Sequence, residues 1–288
     1  MAAFVFQGCT SMFFYPDRTT YRTPEFYGLE YDEVYFYSKD KTRLHAWHIY
    51  PHLPLKQAKA VSEGDVSSEG LIFVAHGNAQ NLSSHFASWV WLVEEGYELF
   101  IFDYRGYGKS EGESELKGSI EDTKAALEYV ESIYKKDYVV CGQSLGGTLL
   151  LNVLSQRENL KIKAVVIDST FRGFADIVSD KMDQVWLTWP FQWIPYLSMS
   201  RDHDAMDRVQ EIKRPLLFLH GSLDTIISPN NSWQLFDTAM KPRELWLVKN
   251  ADHIQALENE NVRKDFLEFL DKEMNYYDTR YSRMRIYE

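Results

Sequence analysis

From residue 71 to residue 273, short and wholly apolar runs alternate with longer amphipathic stretches. The apolar runs fall at 71–75, 99–102, 138–141, 164–167, 216–219 and 245–248. Each is too short for a helix and carries no polar side for water, as expected of a strand buried on both faces. Between them, 82–94, 117–134, 145–156 and 262–273 repeat apolar residues at helical spacing, for example Ile120, Leu127, Val130 and Ile133. Strand, helix, strand in this rhythm demands crossover connections. The outcome is an α/β fold with a mostly parallel sheet and helices on both faces. Two β-rich runs, 31–37 and 43–50, are parted by Ser-Lys-Asp-Lys-Thr and read as an antiparallel hairpin at one edge.

No linker divides the 288 residues. The organisation expected is an N-terminal arm over 1–30, one α/β domain over 31–274 and a C-terminal tail over 275–288. Within the domain, 171–213 interrupts the rhythm between two strands and reads as a small cap. The polar stretch 51–70, with two prolines and two glycines, reads as a surface loop. Composition narrows the function. Lys and Arg number 31 against 42 Asp and Glu, a net charge of −11 that repels phosphate backbones and argues against nucleic acid as a partner. The two cysteines, Cys9 and Cys141, cannot build a disulfide scaffold. No apolar run reaches the roughly 18 residues of a membrane helix. At the N-terminus two readings stand. Phe6-Gln-Gly-Cys9 resembles the end of a lipoprotein signal, which would make Cys9 a lipid anchor at a membrane if the chain starts upstream. Otherwise the segment is an apolar arm on a cytoplasmic domain.

The strand at 138–141 runs into Gly142-Gln143-Ser144-Leu145-Gly146 and then a helix. A sharp strand-to-helix turn lifts a serine hydroxyl clear of the sheet, and glycines two before and two after it avoid collision inside the turn. The helix N-terminus beneath favours developing negative charge. Ser144 therefore reads as a nucleophile, while Cys141, inside the strand, reads as a buried inert thiol. A nucleophilic serine needs a base and a group to orient it. In this architecture they follow in the order acid, then histidine. Asp224 lies just past the strand at 216–219, and His253 just past the strand at 245–248. Asp252 and Asp168 are the rival acids. Among the eight histidines, His45 and His48 lie in the edge hairpin, His76 and His220 precede glycines where they can brace loops, and His203 sits in a polar loop. No ligand spacing for a metal is present, and none is expected.

An attacked carbonyl becomes an oxyanion that needs fixed donors. Leu145 N–H, directly after the serine, is one candidate. The other is Asn78 N–H in His76-Gly77-Asn78-Ala79, the loop after the strand at 71–75. The glycine-rich loop Asp103–Gly112 fits neither a phosphate-loop nor a dinucleotide fingerprint and reads as bracing.

His-Gly-Asn-Ala, Phe102-Asp-Tyr-Arg-Gly-Tyr-Gly-Lys-Ser110, Gly-Gln-Ser-Leu-Gly-Gly, Asp168-Ser-Thr-Phe171 and His-Gly-Ser-Leu-Asp together resemble the α/β-hydrolase superfamily. Within it they resemble the bud-emergence-type serine hydrolases and their bacterial relatives, which are similar to the prolyl-oligopeptidase-type catalytic domain. Phe13–Asp17 also resembles a segment that those bacterial members carry ahead of the domain. The resemblance implies an eight-stranded sheet, the triad Ser144, Asp224 and His253, and no cofactor. The expected reaction is cleavage of a small-molecule acyl ester through an acyl-enzyme, with peptidase or amidase activity as the alternative and a non-catalytic binding protein as a third reading. Trp186, Trp189 and Trp193 in the cap would line an acyl pocket, and the cap or the N-terminus would make peripheral membrane contact.

Overall fold

The computed structural model describes residues 14–51, 68–157, 161–183, 191, 193–198, 201–275 and 281–288. Trp186, Trp189 and Cys9 lie outside these residues.

The strands are β1 (Tyr31–Tyr37), β2 (Arg43–Ile49), β3 (Gly70–Ala75), β4 (Tyr97–Asp103), β5 (Tyr138–Gln143), β6 (Ile162–Asp168), β7 (Leu216–Gly221), β8 (Arg243–Val248) and β9 (Ser282–Tyr287). They form one sheet in the order β1-β2-β4-β3-β5-β6-β7-β8-β9. β1 and β2 form the expected hairpin, and β2 meets β4 antiparallel. Every other pairing is parallel. Successive side chains of a strand point to opposite faces. Phe73 and Ala75 accordingly join one core layer with Phe100, Phe102, Val140 and Leu149. Ile72 and Val74 join the other with Leu99, Ile101, Cys141, Trp246 and Phe266. With both faces covered by helices, the apolar runs have no polar side to show.

The helices are α1 (Leu82–His85), α2 (Val90–Glu94), α3 (Leu116–Ile133), α4 (Leu145–Ser155), α5 (Phe174–Asp183), α6 (Ile194–Ser198), α7 (Ala205–Val209), α8 (Asn230–Thr238) and α9 (Glu260–Asn275). The single helix expected over 82–94 is broken by a 3-10 turn, Phe86–Ser88. Three residues per turn put Phe86 and Trp89 on the same side, and both are fully buried.

The sheet has nine strands rather than eight, because the expected tail contains β9. This strand runs parallel to β8 with Glu244 opposite Arg283, Trp246 opposite Arg285 and Val248 opposite Tyr287. Its arginines lie 3.8 Å from the buried Glu244 carboxylate, and Arg285 also covers the Trp246 ring. Met284 and Ile286 point outward and are exposed. The polarity of this strand is inverted, with charge over the buried side and apolar residues toward water, so hydrophobic patterning does not reveal it. Within 171–213, α5 to α7 form the described part of the cap insertion. Phe174 N–H donates to Asp204 Oδ1 at 3.2 Å and closes the insertion on itself, and Asn152 Nδ2 of α4 donates to the His203 carbonyl at 3.0 Å and ties it to the domain.

Candidate active site

β3, β5, β6, β7 and β8 end at one edge of the sheet, so the loops that follow them share that edge. Ser144 sits between β5 and α4 with φ 52° and ψ −115°, a conformation that L residues avoid. Three bonds hold it there. Its N–H donates to the Asp168 carbonyl at 2.8 Å, and its own carbonyl accepts from Gly147 N–H at 3.1 Å and Thr170 Oγ1 at 2.9 Å. The glycines are required by contact. A Cβ on Gly146 would lie 2.0 Å from the Ala75 carbonyl oxygen, and one on Gly142 would lie 2.5 Å from Gly147 Cα. Helix α4 can start this close to the sheet only because backbone packs on backbone.

Asp224, past β7, collects four donors. Oδ1 accepts from Ile226 N–H at 2.9 Å and Ile227 N–H at 2.8 Å. Oδ2 faces His253 Nδ1 at 2.7 Å and His220 Nε2 at 3.1 Å. The His220 tautomer follows from its neighbours. Its Nε2 lies 2.9 Å from the Ile227 carbonyl, which can only accept, so Nε2 carries the proton and Nδ1 accepts from Ser232 Oγ at 2.7 Å. Burial raises the Asp224 carboxyl pKa, but the bonds from His220 and His253 outweigh it and hold the group well below its usual range. Asp224 is thus a fixed anion behind the His253 ring.

Asp252 serves differently. Its Oδ1 accepts from Thr225 N–H at 3.0 Å and His253 N–H at 2.8 Å, so it shapes the loop and leaves the imidazole to Asp224. Asp168 is fully buried beside Ser169 Oγ at 3.1 Å and Gln143 Nε2 at 3.4 Å, and burial pushes its pKa up. Ile254 N–H donates to Ser169 Oγ at 3.2 Å, and Ser169 adjoins the residue whose carbonyl holds Ser144. The histidine loop is thereby tied to the serine turn. Among the hydrogen bonds of the described residues, none yet joins Ser144 Oγ to His253; such bonds commonly close only when substrate is in place.

The loop after β3 lies against the serine. A Cβ on Gly77 would be 3.5 Å from Ser144 Cβ and 3.2 Å from the His85 ring. This brings the Asn78 loop to the nucleophile, beside Leu145 at the start of α4. His85 was not singled out by the sequence, because nothing in a short helix marks one face as facing a site. Burial, with His76 adding to it, lowers its pKa to about 4. Its neutral Nε2–H donates to the Ala79 carbonyl at 3.2 Å. Of the seven non-glycine residues with positive φ among the described residues, five border this region: Ala79, Gln80, Ser144, Ser169 and Ile254. Left-handed backbone concentrated in this way is typical of functional sites.

The remaining polar clusters brace. Asp103 accepts from Leu82 N–H at 2.8 Å and lies 3.4 Å from both His45 and His76. Arg105 pairs with Asp122 at 2.8 Å. Burial raises the Cys141 thiol pKa, keeping it an inert thiol. Among the described residues no group of three or more His, Cys, Asp or Glu side chains is arranged to hold a metal ion. Trp193, expected in an acyl pocket, is 58% exposed rather than enclosed.

A family model described as serine aminopeptidase, S33, matches residues 66–206. The protein YfhR of Escherichia coli (strain K12) is 30% identical over 275 residues, covering 92% of this chain and 88% of YfhR. The α/β-hydrolase domain-containing protein WAV2 of Arabidopsis thaliana is 27% identical over 231 residues, covering 75% of this chain and 69% of its own. The chain belongs to the α/β-hydrolase superfamily. Among solved structures, the Pyrococcus furiosus esterase Pf2001 superposes with a TM-score of 0.70 at 23% identity, covering 91% of this hydrolase and 99% of that chain. At that identity the likeness speaks for the fold. This α/β-hydrolase adds strand β9 to the eight strands expected of it.

Proposed function

We propose that this hydrolase cleaves carboxylic esters by a serine mechanism. The observation that carries the reading is the 2.7 Å contact between His253 Nδ1 and the Asp224 carboxylate, on a loop bonded to the strained Ser144 turn. Asp224 holds the proton of His253 on Nδ1, which leaves Nε2 free to accept one. Ser144 Oγ attacks the acyl carbon and His253 Nε2 takes its proton. The carbonyl electron pair moves to oxygen and is held by Leu145 N–H and Asn78 N–H. As the pair returns, the C–O bond to the alcohol breaks and His253 protonates the departing alkoxide. Water, deprotonated by the same imidazole, then releases the acid and restores Ser144. No cofactor takes part in these steps.

The test is Ser144→Ala assayed with p-nitrophenyl acetate and butyrate. Hydrolysis should fall to background while circular dichroism stays native, and a fluorophosphonate probe should label the wild type alone. Turnover near wild type in the folded variant would reject the serine. The match to a serine aminopeptidase model favours a second reading, amide cleavage by the same groups. Aminoacyl p-nitroanilides turned over faster than the matching esters would put that reading first. A small-molecule acyl ester as substrate, without nucleic acid as a partner, agrees with the −11 charge. The exposed Phe191, Trp193 and Leu197 agree with peripheral membrane contact through the cap.

A further inference from the structure

The described residues ahead of β1 are bonded along the turn that faces Ser144. Tyr15 N–H donates to Asn78 Oδ1 at 2.9 Å. Pro16 bridges to Gln80, and Asp17 N–H donates to the Gln80 carbonyl at 3.2 Å. In return Asn81 Nδ2 donates to the Asp17 carbonyl at 3.0 Å and the Thr19 carbonyl at 2.8 Å. Tyr21 N–H reaches Ser83 Oγ at 3.0 Å. The strap from Phe14 to Tyr21 therefore follows residues 78–83 bond by bond.

What it holds is unstable by itself. Ala79 and Gln80 are consecutive L residues with φ 64° and 57°. One such residue is disfavoured, and two in a row persist only where the surroundings dictate them. The control point is the Asn78 side chain. Its Oδ1 accepts from Tyr15 N–H, from Ala79 N–H at 2.9 Å and from the Tyr107 hydroxyl at 2.7 Å. An amide oxygen offers two lone pairs, so three donors saturate it and fix its direction. Tyr107 is fully buried, and Gly108 N–H, the next amide, donates to the Asp17 carbonyl at 2.9 Å, which locks strap, turn and tyrosine into one unit.

We propose that Tyr107 and the strap residues Tyr15 to Asp17 are positioning residues of the oxyanion hole, aiming the Asn78 backbone N–H at the substrate carbonyl oxygen through the Asn78 side chain and the Gln80 carbonyl. This rests on the serine-hydrolase reading above. None of these side chains touches the acyl group; they set the angle of a donor that does. A misplaced donor weakens the transition state far more than the bound substrate, so the loss belongs in kcat.

The experiment compares wild type with Tyr107→Phe, which removes only the hydroxyl, and with Asn78→Ala, which keeps the backbone N–H and removes its anchor. Three quantities are read: kcat and KM for p-nitrophenyl butyrate, the inhibition constant of an alkyl trifluoromethyl ketone, and Tm. The ketone forms a serine hemiketal whose charged oxygen needs the same donors. Each variant should lose about 10- to 100-fold in kcat with KM moving less than about 3-fold. The ketone should weaken by the same factor as kcat/KM. Folded variants with wild-type kcat would overturn the proposal, and so would a loss of kcat with ketone affinity unchanged. Should Tyr107→Phe fail to fold, Asn78→Ala decides alone. A wild type that neither turns over esters nor labels with fluorophosphonate would overturn the hydrolase reading and this one with it; an active wild type with unaffected variants overturns this one only.

Discussion

Replacing Asp224 by Asn tests the reading most sharply, because the structure dictates how the new amide must sit. Ile226 and Ile227 both present N–H groups to Oδ1, at 2.9 and 2.8 Å, so the amide oxygen stays there. The amide nitrogen then replaces Oδ2 and presents hydrogens to His253 Nδ1 and His220 Nε2. His220 Nε2 is itself a donor, held so by the Ile227 carbonyl at 2.9 Å. His253 can respond by moving its proton to Nε2 so that Nδ1 accepts. That tautomer cannot take the Ser144 proton. Loss of the correct tautomer in such a triad costs about 10⁴-fold in kcat, close to 5.4 kcal/mol of transition-state stabilisation. Steady-state hydrolysis of p-nitrophenyl butyrate by Asp224→Asn, beside a thermal melt to confirm folding, measures it. A folded Asp224→Asn with more than about a tenth of wild-type kcat would refute the tautomer reasoning. Asp252→Asn is the control: its oxygen can still accept from Thr225 and His253 N–H, so kcat should change less than about 3-fold.

Two further outcomes follow from packing and burial. Gly146→Ala would place a methyl 2.0 Å from the Ala75 carbonyl oxygen, and neither backbone can yield cheaply, so urea denaturation should show a loss of at least about 1–3 kcal/mol; a loss below 0.5 kcal/mol, within the ordinary range of about ±0.5 kcal/mol for harmless changes, would contradict the contact. Burial, reinforced by the Asp176 charge, lifts the Asp204 pKa to about 6 against bonds from Phe174 N–H and Arg201. Between the unfolded value of 3.8 and about 6 the native state holds a proton that the unfolded chain has lost, so this group's contribution to stability falls as pH rises through that window. Asp204→Asn keeps the acceptor for Phe174 N–H and should flatten that slope in denaturation series from pH 4 to pH 7; an unchanged slope would place the pH dependence elsewhere.

The parallel strands and the serine turn were legible because each is dictated locally. A strand buried on both faces has no choice but to be apolar throughout, and Gly142 and Gly146 stand where any Cβ would strike backbone. Asp224 and His253 were legible by place, each just past a strand end, and the structure brings their side chains together at 2.7 Å. The second imidazole on Asp224 was visible only as a bracing histidine; nothing in His220-Gly-Ser-Leu-Asp224 states that ring and carboxylate meet at 3.1 Å. Phe13–Asp17 stood out only as a resemblance, and the bonds of the strap over Asn78 could not be read. It bonds through backbone groups, which every sequence possesses, across a separation of 63 residues. Strand β9 was hidden by its reversed polarity, since the charges facing Glu244 look like a solvated tail until their partner is known.

That last strand bears on how the protein is handled. Arg283, Arg285 and Tyr287 roof over Trp246 and Glu244, and Arg285 clamps Asp265 of α9 at 2.6 Å. A recombinant version trimmed to end with α9 would open to water the Trp246 indole and the Glu244 carboxylate that β9 covers. Solubility trouble in such a version would come from a bared sheet margin, far along the sheet from the serine turn, and should not be mistaken for a defect in chemistry.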